Sequence, residues 1–137
     1  VLSTDDGGAT WVSQETQHAV TLFDVFFTDS TTGWAVGNAG ALFQTTDRGA
    51  KWVDLTLPCG TTCTRLTDLL KVRFTNPQEG WIVGERGMLY RTNDAGLTWS
   101  EGKSIASSSL FGLSFPDAMH GWASGENGSI VHLQPGR

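Results

Sequence analysis

Positive charge is short in this sequence: nine Lys and Arg stand against fourteen Asp and Glu, for a net charge of -5. A general affinity for nucleic acid or for an anionic membrane surface needs the opposite balance, so neither is expected. No apolar run approaches the roughly 20 residues of a membrane-spanning helix, and direct membrane insertion is not expected either. Cysteine is limited to Cys59 and Cys63, and histidine to three positions, His18, His120 and His132. None of those histidines stands beside the cysteines, so no zinc set is completed and no metal or cofactor is expected. The two cysteines, four apart around Gly60 and threonines, read as a disulfide closing a short loop. That pairing fits an oxidising compartment and an extracytoplasmic place, periplasmic, lumenal or secreted; two free thiols or half a metal site are the alternatives. Charged residues make up only 17% and hydrophobic ones 39% of the 137 residues, as suits a Gly- and Thr-rich all-β protein. The chain opens at Val1 inside a strand pattern with no visible signal peptide, and reads as a mature product, an expressed piece or part of something longer.

What the sequence has in abundance is repetition. Thr4-Asp5-Asp6-Gly7-Gly8-Ala9-Thr10-Trp11 recurs as Thr45-Thr46-Asp47-Arg48-Gly49-Ala50-Lys51-Trp52 and as Thr92-Asn93-Asp94-Ala95-Gly96-Leu97-Thr98-Trp99. The shared pattern is hydroxyl-x-Asp-x-Gly-x-x-Trp, and the needs of a tight hairpin turn account for each fixed place. Asp6, Asp47 and Asp94 can accept hydrogen bonds from backbone N–H groups two or more residues on. Gly8, Gly49 and Gly96 supply a positive φ. Trp11, Trp52 and Trp99 then open the next strand and fold back over the turn. The Asp is thus a structural staple. One carboxylate per turn, a blade apart, makes neither a paired acid/base site nor a calcium cage.

A second marker runs at the same period: Gly33-Trp34-Ala35-Val36-Gly37-Asn38-Ala39-Gly40, then Gly80-Trp81-Ile82-Val83-Gly84-Glu85-Arg86-Gly87, then Gly121-Trp122-Ala123-Ser124-Gly125-Glu126-Asn127-Gly128. Together the two markers hold all six tryptophans and most of the 17 glycines. Trp11 to Trp52 spans 41 residues and Trp52 to Trp99 spans 47, the surplus lying in Pro58 to Thr64. A period of that length with several short strands per repeat predicts an all-β protein of propeller blades, each a four-stranded antiparallel sheet. The reading is a single propeller-type domain over 1–137: a half blade at about 1–20, blades at 21–57 and 66–103, and a blade at 108–137 that lacks its outer strand. Inner strands are expected at Leu22–Phe27, Leu70–Phe74 and Leu110–Phe115. Three blades are too few to close a ring, so either copies assemble, a dimer being favoured, or the chain is part of a longer propeller.

The string Gly-Trp-x-Val-Gly-x-x-Gly-x-Leu-aromatic-x-Thr-x-Asp-x-Gly-x-x-Trp resembles the repeat of the photosystem II stability and assembly factor family, within the Asp-box or bacterial neuraminidase repeat propellers. The resemblance covers essentially the whole chain in three copies. It implies part of a seven-bladed propeller that holds a membrane-protein precursor during assembly through an arginine-rich face. Arg86 matches the arginine often found in that turn; Ala39 and Asn127 stand at the equivalent places.

Turns between second and third strands emerge with the inter-blade links on one face. Asn38, Glu85, Arg86, Glu126 and Asn127 come from the turns, with His18 and Arg65 from the links, and this loop face is the candidate binding site. The function expected is a non-catalytic binding or assembly scaffold that recognises a protein or peptide. The alternative is a carbohydrate-binding module or a fragment of a sialidase- or xyloglucanase-like propeller. A sialidase would need an arginine cluster and a nucleophilic tyrosine, and Tyr90, the one tyrosine, stands at a strand place that Phe43 and Val131 also fill. Sugar stacking would need exposed aromatics, whereas every Trp occupies a repeat position that the fold is expected to bury.

Overall fold

The computed structural model describes residues 1–16, 19–56 and 67–134. Among these residues thirteen strands form four antiparallel sheets that lie as partial propeller blades. The first sheet pairs β1 (Leu2–Ser3) with β2 (Val12–Ser13). The second runs β3 (Leu22–Phe27), β4 (Gly33–Gly37), β5 (Leu42–Thr45) and β6 (Val53–Asp54). The third repeats it with β7 (Leu69–Phe74), β8 (Gly80–Gly84), β9 (Leu89–Thr92) and β10 (Ser100–Glu101). The fourth holds β11 (Leu110–Asp117), β12 (His120–Gly125) and β13 (Ile130–Leu133). In register, Leu2↔Ser13 and Ser3↔Val12 repeat Phe43↔Asp54 and Gln44↔Val53, so β1 and β2 are the third and fourth strands of a blade. The outer strands are short: each of β2, β6 and β10 has two residues. Short edges limit the unpaired backbone offered to other chains.

The core lies between blades. Trp34, Val36 and Leu42 of one blade meet Leu69, Val72 and Ile82 of the next. The same arrangement follows one blade on, where Trp81 and Val83 meet Leu110, Leu113 and Ala123. Each fully buried aliphatic contributes about 1.5–3 kcal/mol, so these interfaces hold the array together. One polar lock crosses the first interface. The Asp24 carboxylate on β3 accepts hydrogen bonds from Lys71 Nζ at 3.2 Å, Val72 N at 3.0 Å and an Arg73 guanidinium nitrogen at 2.7 Å on β7.

The repeated glycines are explained by close approach more than by turns. A Cβ on Gly80 would sit 2.6 Å from the Phe74 ring, and one on Gly84 would sit 2.2 Å from the Asp68 carbonyl oxygen. Gly33 and Gly121 lie in the same way under Phe27 and Phe115.

Two tryptophans depart from the expectation of burial. Trp11 is 58% and Trp122 46% exposed, whereas Trp34, Trp52 and Trp81 are buried and Trp99 is half-buried. The physical reason is position in the array. Trp34 is covered by Phe74 and Trp99 of the following blade, and no blade follows Trp122 among the described residues.

Candidate functional site

Every second strand ends in a one-turn 3-10 segment: Asn38–Gly40, Glu85–Gly87 and Glu126–Gly128. The first backbone N–H of each donates to the residue ahead of its own inner strand, from Asn38 to Thr21 O, Glu85 to Asp68 O and Glu126 to Ser109 O. These turns therefore sit with the inter-blade links on one face. The Asp-box turns lie on the other, tied to the turns between first and second strands by Arg48 N to Thr31 O and Ala95 N to Gln78 O.

On the Asp-box face the hydroxyl, the Asp and the Gly form one unit. Thr92 Oγ1 donates to Asp94 Oδ1 at 2.8 Å and accepts from Gly96 N at 2.9 Å. Asp94 in turn accepts from Thr98 N at 2.9 Å and from the Thr98 hydroxyl at 2.6 Å. Asp6 is held alike by Thr4 and Thr10, and Asp47 by Thr45 and the Lys51 N–H. Each carboxylate is thus bound back onto its own turn. The residue between Asp and Gly also takes a positive φ, 64° at Arg48 and 59° at Ala95, a requirement that the motif conceals because its middle place varies.

These bonds favour the ionised carboxylates. The Thr10 hydroxyl and backbone N–H lower Asp6 from 3.8 to about 2. Asp94 is lowered first by the Thr98 hydroxyl, and Asp47 first by the Lys51 N–H. A carboxylate whose pKa is depressed by folding contributes stability above its unfolded value, and loses it as pH falls through the folded value. The thermal midpoint, followed by circular dichroism, should therefore hold steady down to about pH 4 and fall between there and about pH 2. A midpoint that is flat or rising across that window would contradict the role given to these carboxylates.

On the loop face the polar side chains divide into two kinds. Asn38 Oδ1 accepts from Thr21 N at 2.8 Å, Glu85 Oε2 from Asp68 N at 3.4 Å and Glu126 Oε2 from Ser109 N at 3.3 Å. Asn127 Nδ2 donates to Ser108 Oγ at 3.3 Å. Each of these four uses one polar atom to hold turn to link. Arg86 differs. It is exposed, sits at φ 55° in the left-handed region, and among the described residues its guanidinium has no acceptor. Its backbone is pinned instead: Ser104 Oγ donates to Arg86 O at 2.7 Å, and Ile105 N to Gly87 O at 3.0 Å. Exposed Lys103 is next in the chain to that contact, a second cation that sequence patterns could not flag because the link carries no repeat. Left-handed backbone costs a non-Gly residue roughly 1–2 kcal/mol, but Ala39 pays it too at φ 52°, so strain alone does not mark the site.

His18, Arg65 and the disulfide expected between Cys59 and Cys63 fall outside the described residues. Tyr90 packs half-buried against the first inter-blade core, and burial raises its phenol pKa. Among the described residues no three His, Cys, Asp or Glu side chains converge as a metal site would require.

With that geometry in place, comparison with known proteins is specific. Residues 3–105 match the family described as photosynthesis system II assembly factor YCF48. Among solved structures, YCF48 bound to a D1 peptide is similar at 27% identity with a TM-score of 0.71, over 85% of this chain and 38% of that one. YCF48 from Cyanidioschyzon merolae shares the fold at 18% identity with a TM-score of 0.77, over 97% of this chain and 44% of that one. The chain thus spans less than half the length of these solved relatives. No curated protein matches it.

Proposed function

The chain belongs to the photosystem II assembly factor YCF48 family, and from that premise we propose that it is a non-catalytic scaffold docking a protein or peptide partner on the face that carries Arg86. The observation that carries this reading is the Arg86 guanidinium, exposed and without an acceptor among the described residues on a pinned turn near Lys103 in the chain, while its counterparts' side chains bond the links. A preorganised cation of this kind suits a carboxylate in a fork-to-fork contact, which a planar guanidinium makes better than an ammonium. The D1 peptide bound by the solved relative is therefore the partner class proposed here. An extracytoplasmic place, periplasmic, lumenal or secreted, belongs to the same reading. So does self-association: the scaffold is proposed to be a homodimer whose two copies supply six blades.

Calorimetric titration with the D1 peptide tests the docking face. The native chain should bind, and Arg86→Glu should weaken binding by at least about tenfold while leaving the thermal midpoint within about 3 °C. Equal affinity for both proteins would remove the reading. A glycan array is the parallel check, because reproducible sugar binding would favour the carbohydrate-module alternative over this one.

A further inference from the structure

The three turns after the second strands share one backbone conformation but not one support. Ala39, Arg86 and Asn127 stand at φ 52°, 55° and 55°, with ψ 38°, 31° and 29°. Asn127 reaches that conformation with no hydroxyl on its carbonyl among the described residues, its side chain donating instead to Ser108 Oγ. A hydroxyl on the carbonyl is therefore not needed to make the turn. At Arg86 one is present all the same. Ser104 Oγ lies 2.7 Å from Arg86 O and 2.7 Å from Ala106 O, so its one proton is shared between turn and link. Beside it Ile105 N donates to Gly87 O at 3.0 Å, and Ile105 and Ala106 pack on the core where Trp81 meets Leu110. The path from that core to the Arg86 backbone thus ends at a hydroxyl. Holding the carbonyl fixes ψ of Arg86, and with it the direction in which the side chain leaves the turn.

The chemistry of the tie matters as well. One blade earlier the link meets its turn with a charge, Asp68 Oδ1 accepting from Ala39 N at 2.9 Å. Asp68 and Ser109 hold the same place, since their carbonyls accept from Glu85 N and Glu126 N. The turn without a cation is therefore met by a carboxylate, and the link that meets Arg86 carries hydroxyls at Ser104 and Ser109. An internal carboxylate beside Arg86 would compete with one from a partner, because charge-assisted bonds to guanidinium are the strong ones. A hydroxyl orients the turn and leaves the charge free.

We propose that Ser104 is a positioning residue for partner binding. It orients Arg86 from the link, leaves the guanidinium to a partner's carboxylate, and keeps exposed Lys103 on the same held segment. Orientation before contact lowers the ordering cost that a long side chain otherwise meets on binding. The inference rests on the docking reading above and names a residue, outside every repeat, through which Arg86 acts.

Calorimetric titration with the D1 peptide tests it on a set of variants. Ser104→Ala should raise the dissociation constant about three- to tenfold, the range of one neutral hydrogen bond, with the thermal midpoint within about 3 °C of native. Ser104→Thr keeps the hydroxyl and should bind within about twofold of native. In an Arg86→Ala background the Ser104→Ala change should alter binding less than about twofold, because no guanidinium is left to orient. Native affinity in Ser104→Ala overturns the proposal. So does a loss of equal size in both backgrounds, which would make Ser104 a support of the fold alone. A native chain that leaves the peptide unbound overturns the docking reading, and this inference falls with it.

Discussion

Replacing Trp34 by alanine should cost about 3–5 kcal/mol of stability, the range for deleting a buried aromatic, and lower the thermal midpoint by more than about 10 °C. The indole is 1% exposed and fills the interface between two blades against Phe74, Trp99 and the glycine of the following Asp box. Its N–H finds no acceptor among the described residues, so packing carries the contribution. Trp34→Phe should accordingly recover part of the loss. The sharpest control is Trp122→Ala, the same place in the last repeat, which should cost the isolated chain less than about 1 kcal/mol because no following blade covers that half-exposed ring among the described residues. Denaturant unfolding of the two alanine variants measures the difference. Equal effects would mean that the blades are not held together at their tryptophans.

The second large effect is expected at Gly87. A Cβ there would fall 2.0 Å from the Ala106 carbonyl oxygen and 2.5 Å from its nitrogen, with φ at +68°. Backbone cannot step aside as a side chain can, and left-handed strain adds to the collision. Gly87→Ala should therefore cost about 3 kcal/mol or more and shift the link that pins Arg86. Gly128 occupies the same place in the last repeat at φ +71°, and its Cβ would meet nothing within 4 Å. Gly128→Ala should show the strain alone, about 1 kcal/mol. Equal midpoints for the two variants would show that the close approach of the 102–109 link does not matter.

These pairs show what the sequence can and cannot convey. Periodicity carried the blades because each repeat is one hairpin-built unit whose turn chemistry is local. Thr92, Asp94, Gly96 and Trp99 are all explained within eight residues. It also gave the loop face, since β-blade connectivity puts the turns after the second strands beside the links whatever their composition. What it could not give depends on contacts across blades. Repetition makes Trp34 and Trp122 look alike, and only the presence of a following blade buries one and exposes the other. Asn38, Glu85 and Glu126 read as recognition groups from their polarity, yet each satisfies a backbone N–H at a link. Lys103 was invisible because it belongs to no repeat. The lock between Asp24 and the pair Lys71 and Arg73 joins residues 47 to 49 apart, beyond any local pattern.

The central claim is that a peptide partner is held on the loop face and not on the Asp-box face. Amide chemical-shift mapping of the chain during titration with the D1 peptide addresses it most directly. The account predicts shifts clustered at Ala39–Ala41, Arg86–Met88 and Lys103–Ala106, and quiet amides in the Asp-box turns around Asp47 and Asp94. Shifts confined to those Asp-box turns, or no shifts at saturating peptide, would contradict it.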